Sequence, residues 1–196
     1  MTRATCARCK KPEVVCYCHT LQTVANHWPV HILQHPNEAR HAIGTARIAA
    51  LSLVNCTLEI GNAFSKSSTA LLFKSRPLLV YPSANALPLE SLQGTQPRPL
   101  IILDASWKKS RRILHESPIL NTLQTVSFAS QKTSRYQIRK EPKPGYLSTL
   151  EAIVHALSTL EKDAAKYQPL LDTMDYMIQR QIEHMQPDVF TRRYKK

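Results

Sequence analysis

"PLIILDASWKKSRRILHE", residues 99–116, passes without a break from an almost wholly apolar run into a basic, helix-like one. The run Leu100-Ile101-Ile102-Leu103 shows no alternation of apolar and polar residues, which is the mark of a strand buried on both faces and so of a parallel sheet. Asp104 stands where that run stops. In an open parallel sheet ligands collect outside the carboxyl ends of the strands, so the polar residues that follow each apolar run are the ones to inspect.

The same pattern recurs on either side. "PVHILQH" (29–35) is a short strand-like run stopped by Pro36, and "ARIAALSLV" (46–54) has helical spacing after Gly44-Thr45. "TALLFK" (69–74) and "PLLVYPS" (77–83) bring in a strand ending near Tyr81-Pro82-Ser83, and "QTVSFAS" (124–130) reads as extended. Residues 148–186 read as helical, with Pro169 marking a break between two segments, while 84–98 and 131–145 are Pro-rich, polar loops. Strands alternating with helices predict an α/β fold with a mostly parallel sheet.

Four groups then stand out: His35-Pro36-Asn37-Glu38 with Gly44-Thr45, Tyr81-Pro82-Ser83 and Asp104-Ala105-Ser106-Trp107 after apolar runs, and Ser148-Thr149-Leu150-Glu151 after the loop that contains Pro142 and Pro144. Each has a purely structural alternative. Ser148 and Glu151 have capping-box spacing, Asp104 or Ser106 can cap the following helix, Trp107 can anchor a core, Pro36 can end a strand, and Thr45 can cap a helix. His35 and His41 are close in sequence, but nothing beside them completes a metal set.

At the amino end, Cys6-x-x-Cys9 and Cys16-x-Cys18 put four of five cysteines within thirteen residues. No apolar run approaches the roughly 18 residues of a membrane span, and the start lacks a signal-peptide core, so a cytoplasmic protein is expected. In a reducing compartment such thiols are metal ligands rather than disulfides, and four thiolates close a tetrahedral Zn2+ site without leaving room for substrate. A structural zinc site at Cys6, Cys9, Cys16 and Cys18 is therefore expected. A redox pair or unligated thiols are the alternatives. Cys56, alone in an apolar stretch, reads as a small buried hydrophobe.

The chain of 196 residues is 43% hydrophobic, enough for one sizeable core plus a small module. Its formal charge is +12, which a four-thiolate zinc site lowers to about +10. That excess favours a polyanionic partner, with Arg111, Arg112, Arg135, Arg139 and the tail Arg192 and Arg193 as candidate contacts; a merely solvating charge is the alternative.

Taken together, Asp104-Ala105-Ser106-Trp107, the amino-terminal cysteines, His35-Pro36-x-Glu38-x-Arg40, Tyr81-Pro82-Ser83 and Ser148-Thr149-Leu150-Glu151-Ala152 resemble the DTW-domain family. The resemblance runs from Cys6 to about Ala156, with Ser106 in place of threonine and Ala105 where glycine is common. It implies a SPOUT-like knotted core and a tRNA-uridine aminocarboxypropyltransferase that moves the 3-amino-3-carboxypropyl group of S-adenosylmethionine to uridine, leaving methylthioadenosine. It further implies catalytic roles for Asp104, Ser106 and Trp107. Cofactor contacts are implied at Pro36, Glu38, Thr45, Tyr81, Pro82, Ser83, Ser148, Thr149 and Glu151. The expected division is a zinc-binding module over 1–24 and a catalytic domain over 25–196 with a helical carboxy-terminal segment and basic tail. Because methyl and aminocarboxypropyl groups are activated by the same sulfonium, an RNA methyltransferase is the enzymatic alternative. A non-catalytic zinc-containing RNA-binding protein is the other.

Overall fold

The computed structural model describes residues 4–41, 43–65, 74–128 and 147–184. Among these, six strands form one sheet: β1 (Val30–Gln34), β2 (Cys56–Ile60), β3 (Leu78–Val80), β4 (Leu87–Pro88), β5 (Leu100–Asp104) and β6 (Gln124–Ser127). Their spatial order is β2-β1-β5-β3-β6-β4 and every neighbouring pair is parallel. The expected α/β class with a parallel sheet is thus observed. The unbroken apolar strand β5 lies between β1 and β3, the most enclosed position its composition could seek.

Successive residues of a strand point to opposite faces, and the core divides accordingly. Val30, Ile32, Leu78, Leu100 and Ile102 pack on one face with helices α2 (Ala46–Ser52), α4 (Thr149–Glu161) and α5 (Gln168–Glu183). Leu33, Leu79 and Ile101 pack on the other with Ile113 of α3 (Trp107–Glu116) and Leu120. A single-turn helix, α1 (Pro36–Ala39), follows β1, with Pro36 in its first turn and His35 Nδ1 accepting from Asn37 N at 3.1 Å. Gly44 is needed behind it, because a Cβ there would meet the backbone oxygen of Glu38 at 3.2 Å.

Several details differ from the sequence expectation. Cys56 is partly rather than fully buried: it opens edge strand β2 and packs against the larger core cluster, and burial pushes its thiol up to about 12. Segment 84–98 is not only loop: it contributes edge strand β4 and a 3-10 turn at Leu89–Leu92 that buries Leu89 and Leu92. Proline is tolerated in β4 because an edge strand needs only one side of its ladder. The expected break between two helical segments is present: the first ends at Lys162, whose φ is 54°, and Pro169 stands in the first turn of the second, α5. Residues 69–73, 129–145 and 185–186 lie outside the described residues, as do Arg135, Arg139, Arg192 and Arg193.

The amino-terminal segment packs on the main body. Cys9 and Tyr17 are fully buried in the larger core cluster, Arg180 Nη2 donates to Val14 O at 2.8 Å, and Thr173 Oγ1 donates to Thr20 O at 3.0 Å. Lys11 Nζ donates to His41 O at 2.9 Å, and its burial draws the ammonium down to about 8.

Candidate functional site

Two groups of side chains bring together residues capable of chemistry. In the first, the Sγ atoms of Cys6, Cys9, Cys16 and Cys18 lie within 4.8 Å of one another. Cys6–Cys18 and Cys9–Cys16 are each 3.7 Å apart, too far for the ~2.05 Å of a disulfide bond and close to the ~3.8 Å edge of a tetrahedron with metal–sulfur bonds of ~2.3 Å. The tight turn that brings Cys9 back to Cys6 puts Lys10 at φ 60° and closes with Lys10 N donating to Cys6 O at 2.9 Å. Backbone N–H groups of Cys9 and Arg8 point at the Cys6 sulfur and lower its pKa to about 6, stabilising the thiolate a cation requires. The four residues can hold a metal ion. His19 is not part of the set; its ring meets Tyr176 edge-on at 4.9 Å.

The second group lies at the carboxyl ends of β1, β3 and β5. Asp104, 6% exposed, sits opposite Gln34 in the β1–β5 register. Gln34 Nε2 donates to Asp104 Oδ2 at 2.6 Å, and Thr149 Oγ1 donates to Oδ1 at 2.5 Å. The carboxylate therefore links two strands and α4. Ser106 occupies the N-cap position of α3 without a side-chain capping bond. Trp107 is no core anchor: it is 42% exposed, and its ring lies 5.6 Å from that of Tyr81. Burial raises the Tyr81 hydroxyl above its ordinary value while nearby Arg111 opposes the shift.

The remaining candidates surround this centre to different degrees. Glu38 is buried and accepts from Lys109 Nζ at 3.3 Å, joining α1 to α3. Thr45 makes no capping bond to its own helix; its hydroxyl accepts from Leu150 N at 3.3 Å and joins α2 to α4. Ser148 and Glu151 form the capping box, with Ser148 N donating to Glu151 Oε2 at 2.7 Å and Glu151 N to Ser148 Oγ at 3.3 Å. The amides of Ser148, Leu150 and Glu151 are thus all engaged inside the protein. Pro82 and Ser83 are exposed beyond β3, and Ser83 Oγ lies 2.6 Å from Thr125 Oγ1 of β6.

Gln34 was not singled out by the sequence. A glutamine ending an apolar strand reads as a strand terminator, and only the cross-strand register reveals its contact with Asp104.

Comparison with known proteins bears on the whole chain rather than on single residues. The DTW domain matches residues 3–182. The chain is 31% identical over 194 residues to "tRNA-uridine aminocarboxypropyltransferase 2" of Drosophila melanogaster, covering 93% of this chain and 76% of the fly protein. It is 31% identical to the protein of that name from Macaca fascicularis, covering 93% of this chain and 65% of the relative. It is 26% identical to "tRNA-uridine aminocarboxypropyltransferase A" of Arabidopsis thaliana, covering 94% and 83%. No solved structure matches it. With the family's domain matched across most of its length, this chain belongs to the DTW domain family.

Proposed function

We propose that this protein transfers the 3-amino-3-carboxypropyl group of S-adenosylmethionine to a uridine of tRNA and releases methylthioadenosine. The names of its relatives support the reaction, and one observation supports its placement here: a fixed carboxylate, Asp104, at the end of the central strand beside the half-exposed Tyr81–Trp107 pair. Uridine N3 is a weak nucleophile while protonated. Asp104 takes the N3 proton as N3 bonds to the γ-carbon, the carbon–sulfur bond breaks with its electron pair going to sulfur, and the sulfonium becomes a neutral thioether. Gln34 and Thr149 each donate to a different oxygen of Asp104 and so orient the base.

Trp107 offers a face on which an exposed base stacks, and Ser106 at the start of α3 orients one of the two substrates. Pro36, Glu38, Thr45, Tyr81, Pro82, Ser83, Ser148, Thr149 and Glu151 form the surrounding wall for S-adenosylmethionine. Within that wall Glu38, Thr45, Ser148 and Glu151 act through the frame they brace, since their polar atoms already serve internal bonds. The metal is zinc, structural, and holds the 1–24 module against the 25–196 domain. A SPOUT-like knotted core accounts for β5 lying between two earlier strands and for α4 returning across its end. No helix among the described residues is long and apolar enough to cross a membrane, and cysteines free of disulfides suit a cytoplasmic location.

The test is mass spectrometry of nucleosides from unmodified tRNA incubated with the protein and S-adenosylmethionine. Uridine carrying the aminocarboxypropyl mass, with methylthioadenosine formed in step, is the expected result. Methylated uridine with S-adenosylhomocysteine would make the protein a methyltransferase, and unaltered uridine would leave an RNA-binding protein.

A further inference from the structure

Gln34 is 3% exposed and lies opposite Asp104 in the β1–β5 register. Only its amide nitrogen can face a carboxylate, so the 2.6 Å bond to Asp104 Oδ2 sets which way the amide points. Its carbonyl Oε1 is consequently turned into buried surroundings where it has no hydrogen-bond partner among the described residues. A buried carbonyl without a donor is costly, and the cost is relieved when something bound supplies an N–H. Resting on the aminocarboxypropyl-transfer reading, we infer that Gln34 is a positioning residue for Asp104 whose carbonyl accepts an N–H from bound S-adenosylmethionine.

Two N–H groups of that molecule have the required chemistry, the α-ammonium and the adenine 6-amino group. S-adenosylhomocysteine carries both, whereas methylthioadenosine keeps only the adenine. Calorimetry with each on wild type and Gln34→Met therefore separates them. Weakened binding of both compounds assigns Oε1 to the adenine, and weakened binding of S-adenosylhomocysteine alone assigns it to the ammonium. Unchanged binding of both overturns the acceptor role.

The positioning role is read from kinetics. Gln34→Met removes the clamp without adding charge, so kcat should fall by up to about 10^2-fold, the loss that follows a misplacement of about 1 Å, with KM for tRNA little changed. Wild-type kcat in this variant overturns positioning.

Gln34→Glu provides a signature that packing alone does not. Two carboxylates at this distance cannot both ionise; when they share a proton, the introduced carboxyl donates to Asp104 as the amide did. Activity of Gln34→Glu should then rise, relative to Gln34→Met, as the pH is lowered. A constant ratio sinks the idea. Titratable groups near the pair include His35, whose ring feels Lys109, Glu38, Arg112 and Glu116 and whose backbone N donates to Asp104 O, and Glu151 in its capping box; all are present in both variants. Melting temperatures identify a variant that fails to fold, in which case the other carries the test. If wild type transfers nothing to tRNA the proposed reaction fails, yet the two binding titrations still report on Oε1.

Discussion

The rings of Tyr81 and Trp107 lie 5.6 Å apart, inclined at 52°, with Trp107 42% exposed at the start of α3. An aromatic residue this open contributes little to the core, so its contribution should appear on binding. Trp107→Ala is expected to weaken substrate binding by about 1–3 kcal/mol, the range for a lost base-stacking partner, and to leave the melting temperature nearly unchanged. Titration and thermal unfolding of the same preparation check both halves.

Asp104→Asn should preserve the fold. Asparagine Oδ1 still accepts from Thr149, and Gln34 can rotate its amide to present its oxygen to the new NH2. Product formation should nevertheless drop by roughly 10^2- to 10^4-fold, as for a lost general base. Normal turnover would move the role to another carboxylate or leave positioning to account for the rate.

The purified protein should carry about one zinc ion per chain. Burial raises the Cys18 thiol well above its ordinary value; at Cys16 the Cys18 backbone amide lowers the value, but burial and Cys6 outweigh it. Metal must displace these protons, so affinity should fall on acidification, measured as zinc release to a chromogenic chelator. Cys6→Ser should loosen the amino-terminal segment and lower RNA affinity before it affects S-adenosylmethionine binding. Full tRNA activity in metal-free protein would contradict the structural role.

Glu161 ties the chain ahead of β1 to the end of α4. Its Oε1 accepts from His27 N at 2.8 Å and Trp28 N at 3.3 Å, and its Oε2 accepts from Lys166 Nζ at 2.6 Å. Burial alone would raise its pKa, but these donors hold it below the ordinary 4.5. A depressed folded value means that the stabilisation is present above the ordinary carboxylate range and is lost as pH falls through the folded value. Glu161→Gln should cost about 1–3 kcal/mol at neutral pH. In urea unfolding, the difference from wild type should shrink on acidification below 4.5.

Binding of tRNA should weaken steeply with salt as phosphate contacts release counterions. Arg111 lies one turn beyond Trp107 on the same exposed side of α3, whereas Arg112 is paired with Glu116 at 2.6 Å. Arg111→Ala should therefore reduce the salt slope by about one, and Arg112→Ala by less. Binding insensitive to salt would refute the polyanion reading.

Legibility followed how local each signal was. The unbroken apolar run of β5 and the S-x-x-E spacing of α4 report directly on burial and capping, and both are observed. Strand β2 escaped notice because "CTLEI" is a short edge strand of mixed polarity, and β4 because it is two residues long and contains Pro88. The structural alternative for Ser148 and Glu151 holds, while the core-anchor alternative for Trp107 does not.

From its residues alone the chain is a basic α/β protein with a four-cysteine cluster, because charge, apolar periodicity and thiol spacing act over a few neighbouring positions. Its strand order cannot be read that way, since the insertion of β5 between β1 and β3 depends on contacts between segments some 70 residues apart, as in the Gln34–Asp104 pair. That pairing makes Asp104 a buried carboxylate held by both Gln34 and Thr149, and it leaves the carbonyl of Gln34 buried without a hydrogen-bond partner among the described residues.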